Sequence, residues 1–523
     1  MNNFIEEELE KAAMEWFEEL GYGIAYGPEI SPQGDYPERE EYTDVILEER
    51  LRDALIRINR GIPREGIEEA IRKIKIPQSP ALIINNKEIQ KMITDGVDIS
   101  YRKNGKIKHD KVWLFDHEEV LNNEFLACNQ FTVIESSIEK RPDIIVFVNG
   151  IPLVVIELKS SSDEETGISE GFNSLQTYKS SIPYLFTYNA FMITSDGINA
   201  RVGTLTAGED RFMMWRTIDG SDLAPGTIPQ LEVLIKGMLD KNVLLELIKD
   251  FIVFHTDGYD TKKILSAYHQ YYAVKKASKS TERAVMESGD RRIGVIWHTQ
   301  GSGKSLSMVF YAGQLVSNMN NPTIVVITDR NDLDDQLFST FAASKDLLRQ
   351  EPVQADSRKD LRDLLAGRES GGIIFTTIHK FAPDEKGEDI KELTDRRNVI
   401  VIADEAHRSQ YGFNAKVSGG SSKADIKYGF AKYMRDALPN ASFIGFTGTP
   451  VELSDKNTPA VFGDYIDIYD MSQAVEDEMT VKIYYESRIA KLELVDEMKA
   501  VVDEEYEEIT EYQESEEKEK LKN

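Results

Sequence analysis

The sequence predicts an α/β protein of two successive units, the second built on a parallel sheet. Three observations lead there. From about residue 262 onward the short apolar segments IGVIW, TIVVIT, GIIFTT, VIVIAD and SFIGFTG alternate with helical stretches, the rhythm of strand–helix–strand repeats. Between about 110 and 160 a separate β-rich texture appears, followed by a helix and further strands. At 523 residues the chain is also too long for one core, so more than one domain is expected.

The elements follow in order. Phe4, Ile5, Leu9, Ala12, Ala13, Trp16, Phe17 and Leu20 recur at helical spacing, and Gly21 stops that helix. A Pro/Gly-rich loop comes next, then two helices near 43–59 and 65–75. KVWLF, EFLACNQFTVI, PDIIVFV and PLVVIELKS carry the β texture; a helix at about 166–180 and the strands FMITSDG and ARVGTL complete the first unit. Residues 229–251 are helical in pattern, and HTDGYD after them reads as a linker.

Composition narrows the class. Net charge is −29, from 62 basic and 91 acidic side chains, which argues against DNA binding by general attraction yet leaves room for a local basic surface or a basic partner. Part of the acidity lies in the tail VVDEEYEEITEYQESEEKEK, a solvated helix or disordered end. No apolar run is long enough for a membrane helix, and the start MNNFIEEELEKAAMEWF lacks the basic opening of a signal peptide. Cys128 is the single cysteine, so no intrachain disulfide is possible, and a cytoplasmic location with no membrane partner is expected.

Two stretches carry chemistry. GVIWHTQGSGKSLSM places Thr299, Gln300, Gly301, Ser302, Gly303, Lys304 and Ser305 between a strand and a helix. The glycines let backbone N–H groups turn toward phosphate, Lys304 reaches the β/γ phosphates, and the Ser305 hydroxyl suits Mg²⁺. His298 stands where a phosphate loop of this kind has its first glycine. Downstream, VIVIADEAHRSQ ends an apolar strand on Asp404 and Glu405: the first suits the Mg²⁺ shell, the second polarises an attacking water. FIGFTGTP follows with Thr447 and Thr449. The plainer alternative is a glycine turn before a helix.

RPDIIVFVNGIPLVVIELKS carries the second stretch. Asp143, Glu157 and Lys159 form the P-D…E-x-K pattern of a metal-dependent nuclease, which needs hard oxygen ligands for Mg²⁺ and a nearby cation. Glu157 and Lys159, two apart, share a strand face. Asp143 shares it only if the hairpin has a three-residue loop or a bulge; a plain two-residue Asn149-Gly150 turn puts Asp143 opposite Ile156. The alternative is an ordinary hairpin with charged ends. Glu10 on the first helix is a candidate further carboxylate, with Glu6, Glu7 and Glu8 as rivals.

The order of HTQGSGKS, DEAH and FTGTP resembles the first motor lobe of superfamily 2 helicases and translocases, over roughly 260–470. That family often lacks the loop's first glycine. Gln270, in AYHQYYAVKKA, looks like its adenine-reading glutamine; the alternative is a polar residue on an amphipathic helix. TTIHKF and VITDRNDLDDQL sit where the family has DNA-contacting and coupling motifs. SLQTY resembles the Q-L-x-x-Y of RecB-like nucleases, with Tyr178 in place, Ser174 at the glutamine position and Gln176 displaced.

A PD-(D/E)xK nuclease domain followed by a RecA-like parallel-sheet motor lobe resembles the restriction (R) subunit of type I restriction–modification enzymes, and the likeness covers nearly the whole chain. The expected division is 1–252 for the nuclease with a helical insertion at about 27–110, 260–470 for the first motor lobe, and 471–523 for the start of a second lobe or an acidic tail. The resemblance implies ATP and Mg²⁺ as cofactors, and double-stranded DNA with methyltransferase and specificity subunits as partners. It implies an ATP-dependent endonuclease and translocase that cuts unmethylated foreign DNA away from the recognition site. The family's second lobe and its arginines do not follow GFTGTP, so a fragment or truncated subunit with an incomplete motor is expected. Two other classes fit these residues: a stand-alone repair or antiphage helicase–nuclease, and a non-catalytic ATP-gated DNA-binding module.

Overall fold

Two sheets organise the protein in a computed structural model, which describes residues 2–159, 166–258, 260–328, 331–381, 392–406, 416–418, 425–427, 430–449 and 461–481. The first is mixed and six-stranded, in the order Gly23–Tyr26, Phe125–Asn129, Ile144–Val148, Ile151–Leu158, Phe191–Ser195, Ala200–Gly203. Ile144–Val148 and Ile151–Leu158 are its centre and are buried at every position, as their unbroken apolar runs require. The helix Asn2–Glu19 packs against the sheet through Ala13 and Phe17, both fully buried.

The central hairpin has an unusual register. Val148 pairs with Ile151 across a two-residue turn, Asn149 and Gly150, with φ of 50° and 76°. A Cβ on Gly150 would lie 2.4 Å from the Leu47 carbonyl oxygen, so glycine is needed there twice over. Val146 then pairs with Val154 while Phe147 pairs with Pro152, leaving Leu153 as the extra residue of a β-bulge. Beyond it Ile144 pairs with Ile156, so Asp143 comes level with Glu157. The turn is the two-residue kind; the bulge restores the common face.

The insertion is not only helical. Helices Glu48–Ile58, Arg64–Lys75 and Leu82–Asp95 are followed by a separate two-stranded ribbon, Val97–Lys103 against Lys106–Val112. Ile99 and Tyr101 hold it to the second of these helices, close to Gly66.

The second sheet is seven-stranded and wholly parallel, in the order Pro352–Gln354, Ile373–Thr377, Thr323–Thr328, Val399–Ala403, Ser442–Thr447, Arg292–His298, Tyr465–Tyr469. The five apolar segments of the sequence are its interior. Its two edge strands are not legible in the sequence, because PVQ and YIDIY are short and only partly buried. Apolar layers cover both faces: Ile324, Val326, Ile400 and Ile402 on one, Val325, Ile327, Val401 and Phe443 on the other.

The expected linker is a hairpin instead. Ile252–Asp257 pairs with Asp260–Leu265 through six registered pairs. Its Lys263 is buried and donates to Asn86 Oδ1 at 2.9 Å and to the Asn189 carbonyl at 2.8 Å. Burial pushes this ammonium down to about 7. Residues Met1–Thr480 pack as one compact unit, so the 252/260 division falls inside a continuous body. Among the described residues no helix is long and apolar enough to cross a membrane. His407 onward in DEAHRSQYG, Asp329 and Arg330, Pro450, and the tail with the expected opening strand of a second lobe lie outside the described residues.

Candidate functional site

The bulged hairpin and the helix over it build an acidic site. The Leu158 N–H donates to Asp143 Oδ2 at 2.7 Å, fixing that carboxylate at the strand end. Glu157 is 2% exposed. Its Oε1 accepts from Lys159 Nζ at 2.6 Å and from the Tyr178 hydroxyl at 3.2 Å, and its Oε2 is buried with no hydrogen-bond partner. Burial and the Glu157 charge push the Asp143 carboxyl up to about 7, against the Leu158 N–H and Lys159. Burial likewise raises Glu157, against Lys159. Two carboxylates share a desolvated pocket with one ammonium, that of Lys159, and one carboxylate oxygen is left without a partner.

The helix Thr166–Ser181 decides which of its side chains arrive. Positions 174 and 178 share a face, and Ser174 and Tyr178 both bear on Glu157. Gln176 points elsewhere: its Oε1 takes Lys179 Nζ at 2.6 Å. Gly171 lets the helix lie this close, because a Cβ there would meet Thr194 Oγ1 at 2.0 Å. Glu10 arrives from the first helix. Its Oε1 accepts from Asn129 Nδ2 at 2.6 Å, Gln130 Nε2 holds the other oxygen, and its charge bears on Asp143. Sequence reasoning missed Gly171, Asn129 and Gln130. The last two carry no signal, since what recruits them is the parallel pairing of Phe125–Asn129 with Gly23–Tyr26.

The HTQGSGKS loop lies at the C-terminal edge of the parallel sheet, where open α/β sheets bind ligands. Gly301 and Gly303 have φ of 87° and 81°, and Gly303 caps the helix Lys304–Asn318. Ser302 Oγ donates to the Thr299 carbonyl at 2.7 Å, and Lys304 Nζ lies 3.4 Å from the same oxygen. Thr299 and Ser302 are buried and Ser305 is half-buried, while Gln300 and Gly301 face solvent. Gln270 Nε2 donates to the Gly303 carbonyl at 3.0 Å and its Oε1 accepts from the Ala267 N–H, so its amide braces the loop from beneath.

Asp404 and Glu405 follow the strand Val399–Ala403 into the same edge. Burial and the Glu405 charge push Asp404 up to about 6, and burial lowers Lys304 against the pull of Glu405 and Asp404. The Glu405 N–H closes on Asp404 Oδ1 at 2.9 Å. Gly448, between Thr447 and Thr449, would put a Cβ 3.0 Å from Lys304 Nζ; the Thr447 hydroxyl donates to the Thr449 carbonyl at 3.1 Å. Thus all three segments, far apart along the chain, converge on one ammonium.

His298 has a role of its own. Fully buried, its Nε2 lies 2.7 Å from Asp467 Oδ2, and Lys276 Nζ holds the other oxygen at 2.8 Å. Burial pushes Asp467 up, but these bonds hold it below the usual carboxylate range. His269 stacks on Tyr469 at 3.9 Å and bonds the Ser302 carbonyl at 3.0 Å. The imidazole that replaces a glycine therefore ties the loop to the missed edge strand Tyr465–Tyr469.

Known proteins line up with both halves. Residues 3–211 match the family described as "Type I restriction enzyme R protein N terminus", and residues 269–519 match "SWI2/SNF2 ATPase". The chain is 45% identical over 487 residues to the type I restriction enzyme HindI endonuclease subunit of Haemophilus influenzae, across 92% of this chain and 46% of that protein. It is 36% identical over 527 residues to the "Putative type I restriction enzyme MjaIXP endonuclease subunit" of Methanocaldococcus jannaschii, across 96% and 48%. The chain spans about half the length of these curated relatives. A superposition on a fragment of a "putative HsdR subunit of a type I restriction enzyme from Vibrio vulnificus YJ016" reaches a TM-score of 0.26 at 16% identity, over 67% of this chain and 56% of that one. The R-protein match over the first sheet and the two relatives sharing nearly its full length place the chain in one family: it belongs to the endonuclease (R) subunits of type I restriction enzymes.

Proposed function

We propose that this chain supplies the DNA-cutting and ATP-driven DNA-pulling parts of a type I restriction complex, with methyltransferase and specificity subunits as partners and unmethylated foreign duplex as substrate. In this reading residues 1–252 form a PD-(D/E)xK endonuclease domain and residues 260–470 the first motor lobe. One observation carries the nuclease half: Asp143 and Glu157 stand level on neighbouring strands, with Lys159 bonded to Glu157 and the other Glu157 oxygen buried without a partner. A pair of carboxylates suits Mg²⁺, which keeps most of its waters and takes one or two protein oxygens. Asp143 and Glu157 would be the protein's ligands to such an ion, the unpartnered Glu157 Oε2 offering it an oxygen. When bound, the ion supplies Lewis-acid neutralisation of phosphate charge. Lys159 orients water or balances charge on the scissile phosphate, Tyr178 and Ser174 hold Glu157 in place, and Glu10 orders the strand end beside Asp143.

For the motor half, Gly301, Gly303 and the helix N-terminus after them receive the phosphates of ATP, Lys304 reaches their outer oxygens, and Ser305 and Asp404 hold Mg²⁺. Glu405 polarises the attacking water, and Gln270 acts through the loop it braces. Thr447 and Thr449 shape the turn that sets Gly448 against Lys304.

The test is plasmid cleavage by the complex assembled with Lys159→Ala. Cutting should fall below detection while DNA-stimulated ATP turnover stays near the parental rate, since the two sites share no residue. A variant that still cuts removes Lys159 from the chemistry.

A further inference from the structure

The ribbon Val97–Lys103/Lys106–Val112 is opposite in sign to the molecule that carries it. Its sixteen residues hold five cations and two carboxylates, in a chain of net charge −29. Asp98 and Asp110 are spent on Lys111 and Lys108, at 3.4 and 2.5 Å. Arg102, Lys103 and Lys106 at the tip are exposed, and their side chains make no hydrogen bond or ion pair among the described residues. Lys103 and Lys106 face each other directly across the ladder, beside the Asn104-Gly105 turn with φ of 52° and 76°. Like charges in that position oppose pairing, so folding alone gives no reason for them. Ile107, opposite Arg102 on the outer face, is 66% exposed.

Among the described residues the ribbon belongs to no larger sheet; it packs on the helix Arg64–Lys75 through Ile99 and Tyr101, and its base is held by Lys73 on the Asp98 carbonyl and by the Ser100 N–H on Glu69. A free two-stranded ribbon has the width that the major groove of a duplex admits. We infer that this ribbon is a contact for double-stranded nucleic acid, with Arg102, Lys103 and Lys106 on phosphates and Ile107 against the groove wall. The inference rests on the reading that this chain acts on duplex DNA, and it adds a docking element that shares no residue with either site. It also answers how so acidic a chain holds a polyanion: the attraction is local, and a Debye length of about 8 Å at physiological salt screens the acidic remainder.

The experiment is binding of a short labelled duplex of arbitrary sequence by residues 1–523, in EDTA and without nucleotide, so that neither cleavage nor ATP turnover contributes. Salt is varied between about 50 and 200 mM. The Arg102→Gln/Lys103→Gln/Lys106→Gln variant should bind more weakly at low salt, with its log–log salt slope shallower by about 2–3, at about 0.9 for each phosphate no longer neutralised. Lys103→Arg/Lys106→Arg keeps the charge and should retain the parental slope. A triple variant with the parental slope overturns the assignment and leaves the ribbon to an acidic protein surface. Loss of slope in the arginine pair overturns it as well, because charge would not be the cause. A parent that fails to bind duplex at all defeats the wider DNA reading rather than the ribbon alone, and Lys159→Ala cleavage reports on that reading separately.

Discussion

Asp143 shows what the acidic site costs the fold. Its carboxyl is held up to about 7 by burial and by Glu157, whereas in the unfolded chain it ionises near its ordinary value of 3.8. Between those values the folded state binds the extra proton. The contribution to stability is therefore complete below about 3.8 and is lost as pH rises through about 7. Above that, a half-buried charge opposes folding. Asp143→Asn keeps an acceptor for the Leu158 N–H and removes the charge. In metal-free buffer at pH 8 it should stabilise the fold by on the order of 2–4 kcal/mol, read as a higher melting temperature, and the gain should shrink toward pH 4. Adding Mg²⁺ should then stabilise the parent and not the variant. Calorimetry reads both, and a variant less stable than the parent at pH 8 in EDTA would sink the charge argument. The sequence could name Asp143, Glu157 and Lys159 because their spacing is local. It could not choose Ser174 over Gln176, since that depends on which face of a helix meets a strand earlier in the chain.

At the scale of elements the decisive features are a bulge and a glycine. Leu153 adds the one residue that turns Asp143 to the face of Glu157. Gly171 lets the Thr166–Ser181 helix descend until Tyr178 reaches the carboxylate. Gly171→Ala must push Thr194 or lift the helix, because 2.0 Å is far inside contact distance. Overpacking of this kind costs about 1–3 kcal/mol. The expected outcome is a lower melting temperature together with weakened plasmid cleavage, at unchanged ATP turnover. Full cleavage by the alanine variant would show that the helix need not lie so close. The parallel sheet offers the converse case. Its five interior strands were legible because each is a bounded apolar run, and its edge strands were not, because half-exposed strands carry too little apolar periodicity to be told from loops.

Across the whole molecule, the segment after the strand Tyr465–Tyr469 folds back on the first unit. Asp477, 5% exposed, accepts from Arg216 Nη1 at 2.9 Å, from the Tyr268 hydroxyl at 2.5 Å and from the Tyr469 hydroxyl at 2.8 Å. One carboxylate thus joins a strand-end loop of the first unit, the helix that braces the glycine-rich loop, and the edge strand that holds His298. Arg216→Ala leaves that carboxylate without its cation. The expected loss is about 1–3 kcal/mol, less than for a fully buried pair because Arg216 is partly solvated. It should appear as a fall of a few degrees in one shared transition and as slower ATP turnover. An unchanged melting temperature would mean that the joint contributes nothing.

The sequence by itself determined the α/β class, the strands of the parallel interior and the members of both motifs. Each is written in contiguous residues: an apolar run bounded by turns, a glycine-rich loop between strand and helix, a Glu and a Lys two apart on one strand. Only the tertiary structure decided the bulge at Leu153, the hairpin at 252–265 where a linker was expected, the recruitment of Glu10 beside Asp143, and the pairing of His298 with Asp467. These rest on register and packing between segments as far as 169 residues apart. Such pairings are selected by the sum of buried contacts in the folded core, and no local pattern in the chain encodes that sum.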